Sequence, residues 1–370
     1  MSNARLKGQY SGFIPEYEGL RGILAIWVVI GHVMSGLPIS FNFASPSLWN
    51  TVPVQVFIIL SGFVIFSLLD REHQNYRKFL TQRAFRIFPI YLVALIISTL
   101  MLPISREILQ LAPTAPMTEA RISLIDSAEK NLVWSFLSHA LLIQGLVPDR
   151  ILENSAYTLV GQAWSVSVEW QFYLLAPAAY FLLGRTKRIA KLIVLSAGLI
   201  ILAITGRSMG GGYIGNYLPL FAVGIATFYT YKLSSEKWPA ALIPALLAAP
   251  ITPEHSAALI IWALVSYCAL CKKTSTAQQA ASSLLRSKPA VYLGQISYSI
   301  YILHMILVIT AIYVASKIHA PTPFDAAIAI SLSVTLTILF SHASYKYIEN
   351  PMMRTGKWLT NTKQTEVATQ

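Results

Sequence analysis

The stretch EGLRGILAIWVVIGH, residues 18–32, puts a carboxylate, a guanidinium and an imidazole into one apolar run. Arg21 and His32 stand eleven residues apart. At about 100° per residue that is three turns plus roughly 20°, so one helix face carries both, about 16 Å apart along the axis. Glu18 lies one turn before Arg21, close enough to pair with it. A guanidinium grips oxyanions by forked hydrogen bonds, and an imidazole exchanges protons near neutral pH. Ionisable groups in a membrane-length apolar run are costly and by default mark function. The plainer alternative is a snorkelling arginine with a packed histidine, but snorkelling needs no partner on the same face.

Three further clusters could join this face. In QRAFRIFPIY, Arg83 and Arg86 are i, i+3 neighbours able to hold phosphate oxygens, although arginines at this position also serve as ordinary membrane anchors. In WSVSVEWQFYLLAP, Ser165 and Glu169 are i, i+4. The Glu169 carboxylate there could orient the His32 imidazole, or could simply favour a helix N-terminus. In LGQISYSIYILH, Ser297 and His304 share a face and Tyr298 and Tyr301 form an i, i+3 pair, which also suits plain packing between spans. P-loop, dinucleotide-binding, G-x-S-x-G and HExxH patterns are absent from the sequence. Cys268 and Cys271 lack the second pair a structural metal site needs, so no metal is expected. GRSMGGGY, residues 206–213, reads as a flexible turn.

The elements that must position these groups are membrane helices. The 370 residues are 55% hydrophobic and only 12% charged, with mean hydropathy +0.56, against about 25% charged in soluble domains. The expected fold is all-α: a polytopic transmembrane helix bundle of about ten spans with both termini cytoplasmic. The apolar runs are 18–36, 53–69, 87–103, 165–184, 190–206, 216–231, 238–252, 255–271, 291–316 and 325–346. The run 131–148 is apolar but short and holds His139, and is read as an interfacial or re-entrant helix on the far side. In this topology all of the 28 Lys and Arg face the cytoplasm except Arg106, Arg121, Lys130, Arg150, Arg207 and Lys317. The net charge of +12 then reflects membrane orientation and not a nucleic-acid partner. No cleavable signal is evident, so the first run should stay and span. Residues 104–164 should cap the bundle, residues 1–354 form the membrane-embedded domain, and 355–370 form a polar, disordered cytoplasmic tail.

These motifs, in this order, resemble acyltransferase family 3, the bacterial integral-membrane O-acyltransferases of cell-envelope glycans. The likeness covers roughly residues 14–351. It rests on Arg-x10-His in LRGILAIWVVIGH, FIILSGFVIF, Arg-x-x-Arg in RAFR, WSVSVEWQFYLLAP, LGQISYSIYILH and YIENP. The resemblance implies an inner-membrane enzyme that moves an acyl group, usually acetyl, from cytoplasmic acyl-CoA to a hydroxyl of lipopolysaccharide, exopolysaccharide or peptidoglycan. It assigns His32 as the catalytic histidine. Arg21, Arg83 and Arg86 go to the acyl-CoA, and Ser165 with Glu169 to the Ser-x3-Glu motif. Some members carry a further C-terminal periplasmic domain, and this sequence is expected to be a membrane-domain-only form.

The expected partners are thus membrane lipid, acetyl-CoA or another acyl-CoA, and an envelope glycan. His32 would act as general base on the acceptor hydroxyl, with Glu169 holding its tautomer; transfer through an acyl-enzyme is the alternative route. The competing function is a sugar or lipid transporter that uses the same Arg, His and Glu as a substrate or proton pathway.

Overall fold

The computed structural model describes residues 13–37, 50–72, 74–111, 117–184, 189–206, 208–233, 242–248, 252–316 and 323–368, and among these there is no strand. Long helices form where Leu, Ile, Val and Phe run without a Gly-Pro break. They are α1 (Pro15–Gly36), α2 (Val52–Glu72) and α3 (Tyr76–Leu100), the last capped by the Asn75 side chain on the Lys78 amide at 2.8 Å. The cap region follows as α4 (Leu102–Gln110), α5 (Thr118–Lys130) and α6 (Leu132–Ala140), then turns to Ala163. Next come α7 (Trp164–Leu183), α8 (Ile189–Gly206), α9 (Leu218–Leu233), α10 (Ile243–Ala248) and α11 (Ser256–Leu270). The chain continues through α12 (Thr276–Leu285), α13 (Lys288–Gln295), α14 (Ser297–Ser316) and α15 (Pro323–Ser344). A π turn, Tyr345–Glu349, leads into α16 (Asn350–Ala368).

Six described helices are long and apolar enough to cross a membrane, and a seventh if α13 and α14, bent by 73°, form one broken span. The apolar part of α8, Ile193–Gly206, is shorter, and α9 has 16 residues. About half of the expected span 238–252 falls outside the described residues, and the rest holds the six-residue α10. Helix α6 has nine residues, about 13 Å at helical rise and too short to cross.

The tail departs from expectation. Its polar sequence suggested disorder from 355, but α16 is helical to Ala368. The reason is a docking surface on α3: a Cβ on Gly356 would lie 2.7 Å from the Cβ of Phe85, and Gln82 and Lys78 donate to Thr360 and Asn361 at 3.0 Å each.

Lipid is as apolar as leucine, so helix association in a bilayer rests on close packing. Glycines supply it here. A Cβ on Gly224 would meet the Ile59 carbonyl oxygen at 2.0 Å, which joins α9 to α2 backbone to backbone. A Cβ on Gly294 would meet the Glu18 carbonyl oxygen at 2.0 Å, which presses α13 onto the first turn of α1. That turn is also held from α11 and α12. Tyr17 stacks on the fully buried Trp262 at 5.0 Å, and buried Glu16 accepts from Ser282 at 2.7 Å and Lys273 at 3.0 Å.

The cap is fastened by Arg106, which bridges α4 to Asp126 and Glu129 of α5 at 2.7 Å each, over a small apolar cluster of Leu102, Leu109, Ile125 and Ala128. His139 pins α6 in place. Its Nε2 lies 3.1 Å from the Ser155 carbonyl, and Tyr91 of α3 donates to its backbone oxygen at 2.9 Å. Burial pushes this imidazole down to about 4, so it is neutral.

Candidate functional site

A cavity of about 830 Å³ opens between α1, α2, α3, α7 and α14. Arg21 reaches it from the second turn of α1, just after the pinned first turn. As the spacing predicted, Glu18 pairs with Arg21 at 3.3 Å. Arg83 and Arg86 enter from the second and third turns of α3, on the face that their i, i+3 spacing fixes. Three guanidiniums in one cavity are more than membrane anchoring explains. The Arg83 Nε is buried and has no hydrogen-bond partner among the described residues.

Ser165 and Glu169 reach the same cavity from one face of α7. Glu169, however, does not approach His32. Its Oε1 accepts from Ser61 at 3.1 Å and from the Tyr173 hydroxyl, and it lies in the field of Arg83 and Arg86. Two guanidiniums draw a carboxylate more strongly than one imidazole does, so Glu169 belongs to the arginine cluster. Ser165 shares a hydrogen bond of 2.7 Å with Tyr301, whose hydroxyl also donates to the Gln162 carbonyl at 2.9 Å. Ser297 and Tyr298 line the cavity too, and the Ser297 hydroxyl has no partner among the described residues.

His32 stands just beyond this cavity and meets His304 of α14. The two rings are 5.1 Å apart between centroids, tilted by 36°. His304 is fully buried, and its Nδ1 lies 2.7 Å from the Tyr301 carbonyl. A carbonyl only accepts, so Nδ1 carries the proton and Nε2 keeps its lone pair. That Nε2 has no partner among the described residues. The Tyr301 ring, 5.8 Å from His304, connects the histidine pair to the arginine cavity.

Four participants were not singled out in the sequence. Ser61 and Tyr173 fix Glu169; the i, i+4 spacing of Tyr173 in WSVSVEWQFYLLAP could have marked it, whereas nothing in its apolar run marks Ser61. Glu349, in the quoted YIENP, is 2% exposed, accepts from Ser299 at 2.8 Å and acts on Arg86. Its placement depends on the π turn, a common feature of functional sites that helical spacing does not reveal. Arg121 donates to the His32 carbonyl at 3.2 Å and to Ser35 at 3.4 Å from the cap. One signal pointed to it. Thr118, Arg121, Ile125 and Ala128 form the buried stripe of α5, with an arginine where an apolar residue belongs.

The described glycines of GRSMGGGY also act otherwise than expected. A Cβ on Gly211 would overlap the Tyr157 hydroxyl at 1.8 Å, and Gln171 of α7 donates to the Gly212 carbonyl at 2.8 Å. These glycines serve close packing against the loops of the cap at Tyr157 and Gly145, and not looseness.

Comparison with known proteins gives these groups a family. The chain is 25% identical over 391 residues to YrhL of Bacillus subtilis, provisionally named a peptidoglycan O-acetyltransferase, covering 95% of this chain and 56% of YrhL. It is 24% identical to the O-acetyltransferase OatA of Staphylococcus aureus, covering 95% of this chain and 59% of OatA. The chain thus spans less than two thirds of the length of both. The exopolysaccharide production protein ExoZ of Rhizobium meliloti is 26% identical over 82% of this chain and 90% of its own length. No solved structure matches. The acyltransferase domain family itself matches residues 14–342, and with nearly the whole bundle inside that match, the arginine cavity included, the chain belongs to acyltransferase family 3.

Proposed function

We propose that this chain transfers an acyl group, acetyl first among candidates, from acyl-CoA to a hydroxyl of a cell-envelope glycan across the bacterial inner membrane. The carrying observation is the cavity in which Arg21, Arg83 and Arg86 converge next to the His32–His304 pair. Coenzyme A is polyanionic, and guanidiniums suit its phosphates by forked, charge-assisted hydrogen bonds. In a ten-span topology with both termini cytoplasmic, the arginines lie toward the cytoplasm and His32 toward the cap.

His32 takes the proton of the acceptor hydroxyl as its oxygen attacks the thioester carbonyl carbon. The carbon–sulfur bond breaks, and the departing thiolate takes the proton back from the imidazolium. His304, whose ring lies 5.1 Å from that of His32, takes the positioning role first assigned to Glu169. Glu169 holds the arginines at their spacing, and Ser165 with Tyr301 forms the wall between cavity and histidines. Peptidoglycan and exopolysaccharide acceptors are suggested by the names of the relatives.

The test is incubation of the purified protein in nanodiscs with radiolabelled acetyl-CoA and envelope glycans, beside His32→Ala. His32-dependent CoA release with label moved to glycan supports the reading. Folded protein that neither binds nor turns over acetyl-CoA overturns it in favour of transport.

A further inference from the structure

A second cavity, about 680 Å³, lies on the cap side of the histidine pair. It is walled by the α3–α4 junction, Arg121 of α5, the loop from Tyr157 to Gln162, and Met305 with Ile309 of α14. Only a thin partition separates it from the arginine cavity. Gln162 faces this side, its carbonyl accepts from Tyr301, and Tyr301 lines the other side. Arg121, a wall of the second cavity, donates to the backbone of His32. The two cavities thus lie on either side of the partition that Tyr301 and Gln162 form beside His304.

The second cavity is mostly apolar, with Leu102, Leu109 and Ile306 in its wall, and carries a few polar groups, the usual make-up of a ligand site. Two of those groups are incomplete. Arg121 is 8% exposed; its Nη1 is buried without a hydrogen-bond partner, and no carboxylate lies within ion-pair distance of it among the described residues. Gln162 is 5% exposed; its Nε2 donates to the Ile302 carbonyl at 2.7 Å, and its Oε1 has no partner among the described residues. A buried cation without a counter-charge is costly to keep, and two orphaned polar atoms in one cavity make it more so. Apolar residues would pack α5 against the bundle more cheaply. The groups left open are one cationic donor and one acceptor.

We propose that this second cavity is the acceptor's binding site and selects an acidic sugar. The Arg121 Nη1 holds a carboxylate on the sugar, and the Gln162 Oε1 accepts from a ring hydroxyl. The acylated hydroxyl is then delivered to His32. The inference rests on the transferase reading for its use, but its binding claim is separately measurable.

The test is saturation-transfer NMR on the protein in phosphatidylcholine nanodiscs, with methyl glucuronide and methyl glucoside as probes and acetyl-CoA affinity measured in parallel. The expected result is about tenfold or more tighter binding of the glucuronide, from one charge-assisted contact. Arg121→Gln abolishes that preference and leaves acetyl-CoA affinity unchanged. Arg83→Ala with Arg86→Ala does the reverse. Gln162→Leu weakens both sugars alike, which keeps the claim testable if Arg121→Gln does not fold. Equal binding of the two sugars, or a preference that survives Arg121→Gln, overturns the proposal. Loss of glucuronide binding in phosphatidylglycerol nanodiscs also overturns it, because the site then belongs to lipid headgroups. Absence of acetyl-CoA binding with the preference intact refutes the transferase reading alone.

Discussion

Substituting Gly294 by alanine tests whether the contact between α13 and α1 sets the position of Arg21. The added Cβ would lie 2.0 Å from the Glu18 carbonyl oxygen and 2.7 Å from its carbon. Ordinary contact begins at 3.4 Å, so the two helices must part by about 1.4 Å. Both sides are helical backbone, and neither can swing aside as a side chain would. Glu18 holds Arg21 at 3.3 Å, so the displacement carries the guanidinium with it. Overpacking of this kind costs about 1–3 kcal/mol, and a shift near 1 Å in a reacting geometry costs on the order of 100-fold in rate. Thermal unfolding in detergent and acetyl-CoA titration read the two effects separately. Gly198→Ala is the matched control, because nothing lies within 4 Å of a Cβ there. Gly294→Ala with the melting temperature and donor affinity of Gly198→Ala would refute the argument.

Three other perturbations follow from the geometry. Arg83→Ala with Arg86→Ala should raise the acetyl-CoA dissociation constant about tenfold or more while the protein still folds, since each lost charge-assisted contact is worth about 1.5–3 kcal/mol; isothermal titration reads it. His304→Ala should lower turnover and change its pH profile while donor affinity holds, because His304 contacts His32 and not the arginines; an unchanged profile would remove His304 from the site. His139 should make the protein acid-sensitive. Its pKa is about 4 in the fold against 6.5 unfolded, so the unfolded state binds the proton first. Stability is full above pH 6.5 and falls as the pH drops toward 4, by at most about 3 kcal/mol. Melting curves across that range check this, with Tyr91→Phe as a variant that weakens the same pin without titrating.

The sequence made the residue types and faces legible because an i, i+3 or i, i+11 spacing fixes direction about one helix axis. Glu18 with Arg21, and Arg83 with Arg86, needed nothing more. It could not say which helix a face meets. Glu169 and His32 looked like partners, but neighbours from α2, α3 and α14 settled each group elsewhere: Ser61 and the arginines joined Tyr173 of its own helix around Glu169, and His304 stands beside His32. Hydropathy found the long spans and undervalued α16, whose helical order comes from docking on α3. The π turn that buries Glu349 is invisible to any fixed period. Arg121 looked like one more far-side charge because loop counting ignores which face a residue occupies.

The bend between α13 and α14 has an electrical consequence. A helix that starts inside the bundle ends in unsatisfied amides, worth roughly half a positive charge at its N-terminus. The first turn of α14 supplies Ser297 and Tyr298 to the arginine cavity, and the 73° bend turns the dipole of α13 away from alignment with it. Part of the cavity's positive potential is therefore carried by peptide bonds. Stripping the arginines one by one leaves that contribution in place opposite the Glu169 carboxylate, and its size is set by the path of the backbone.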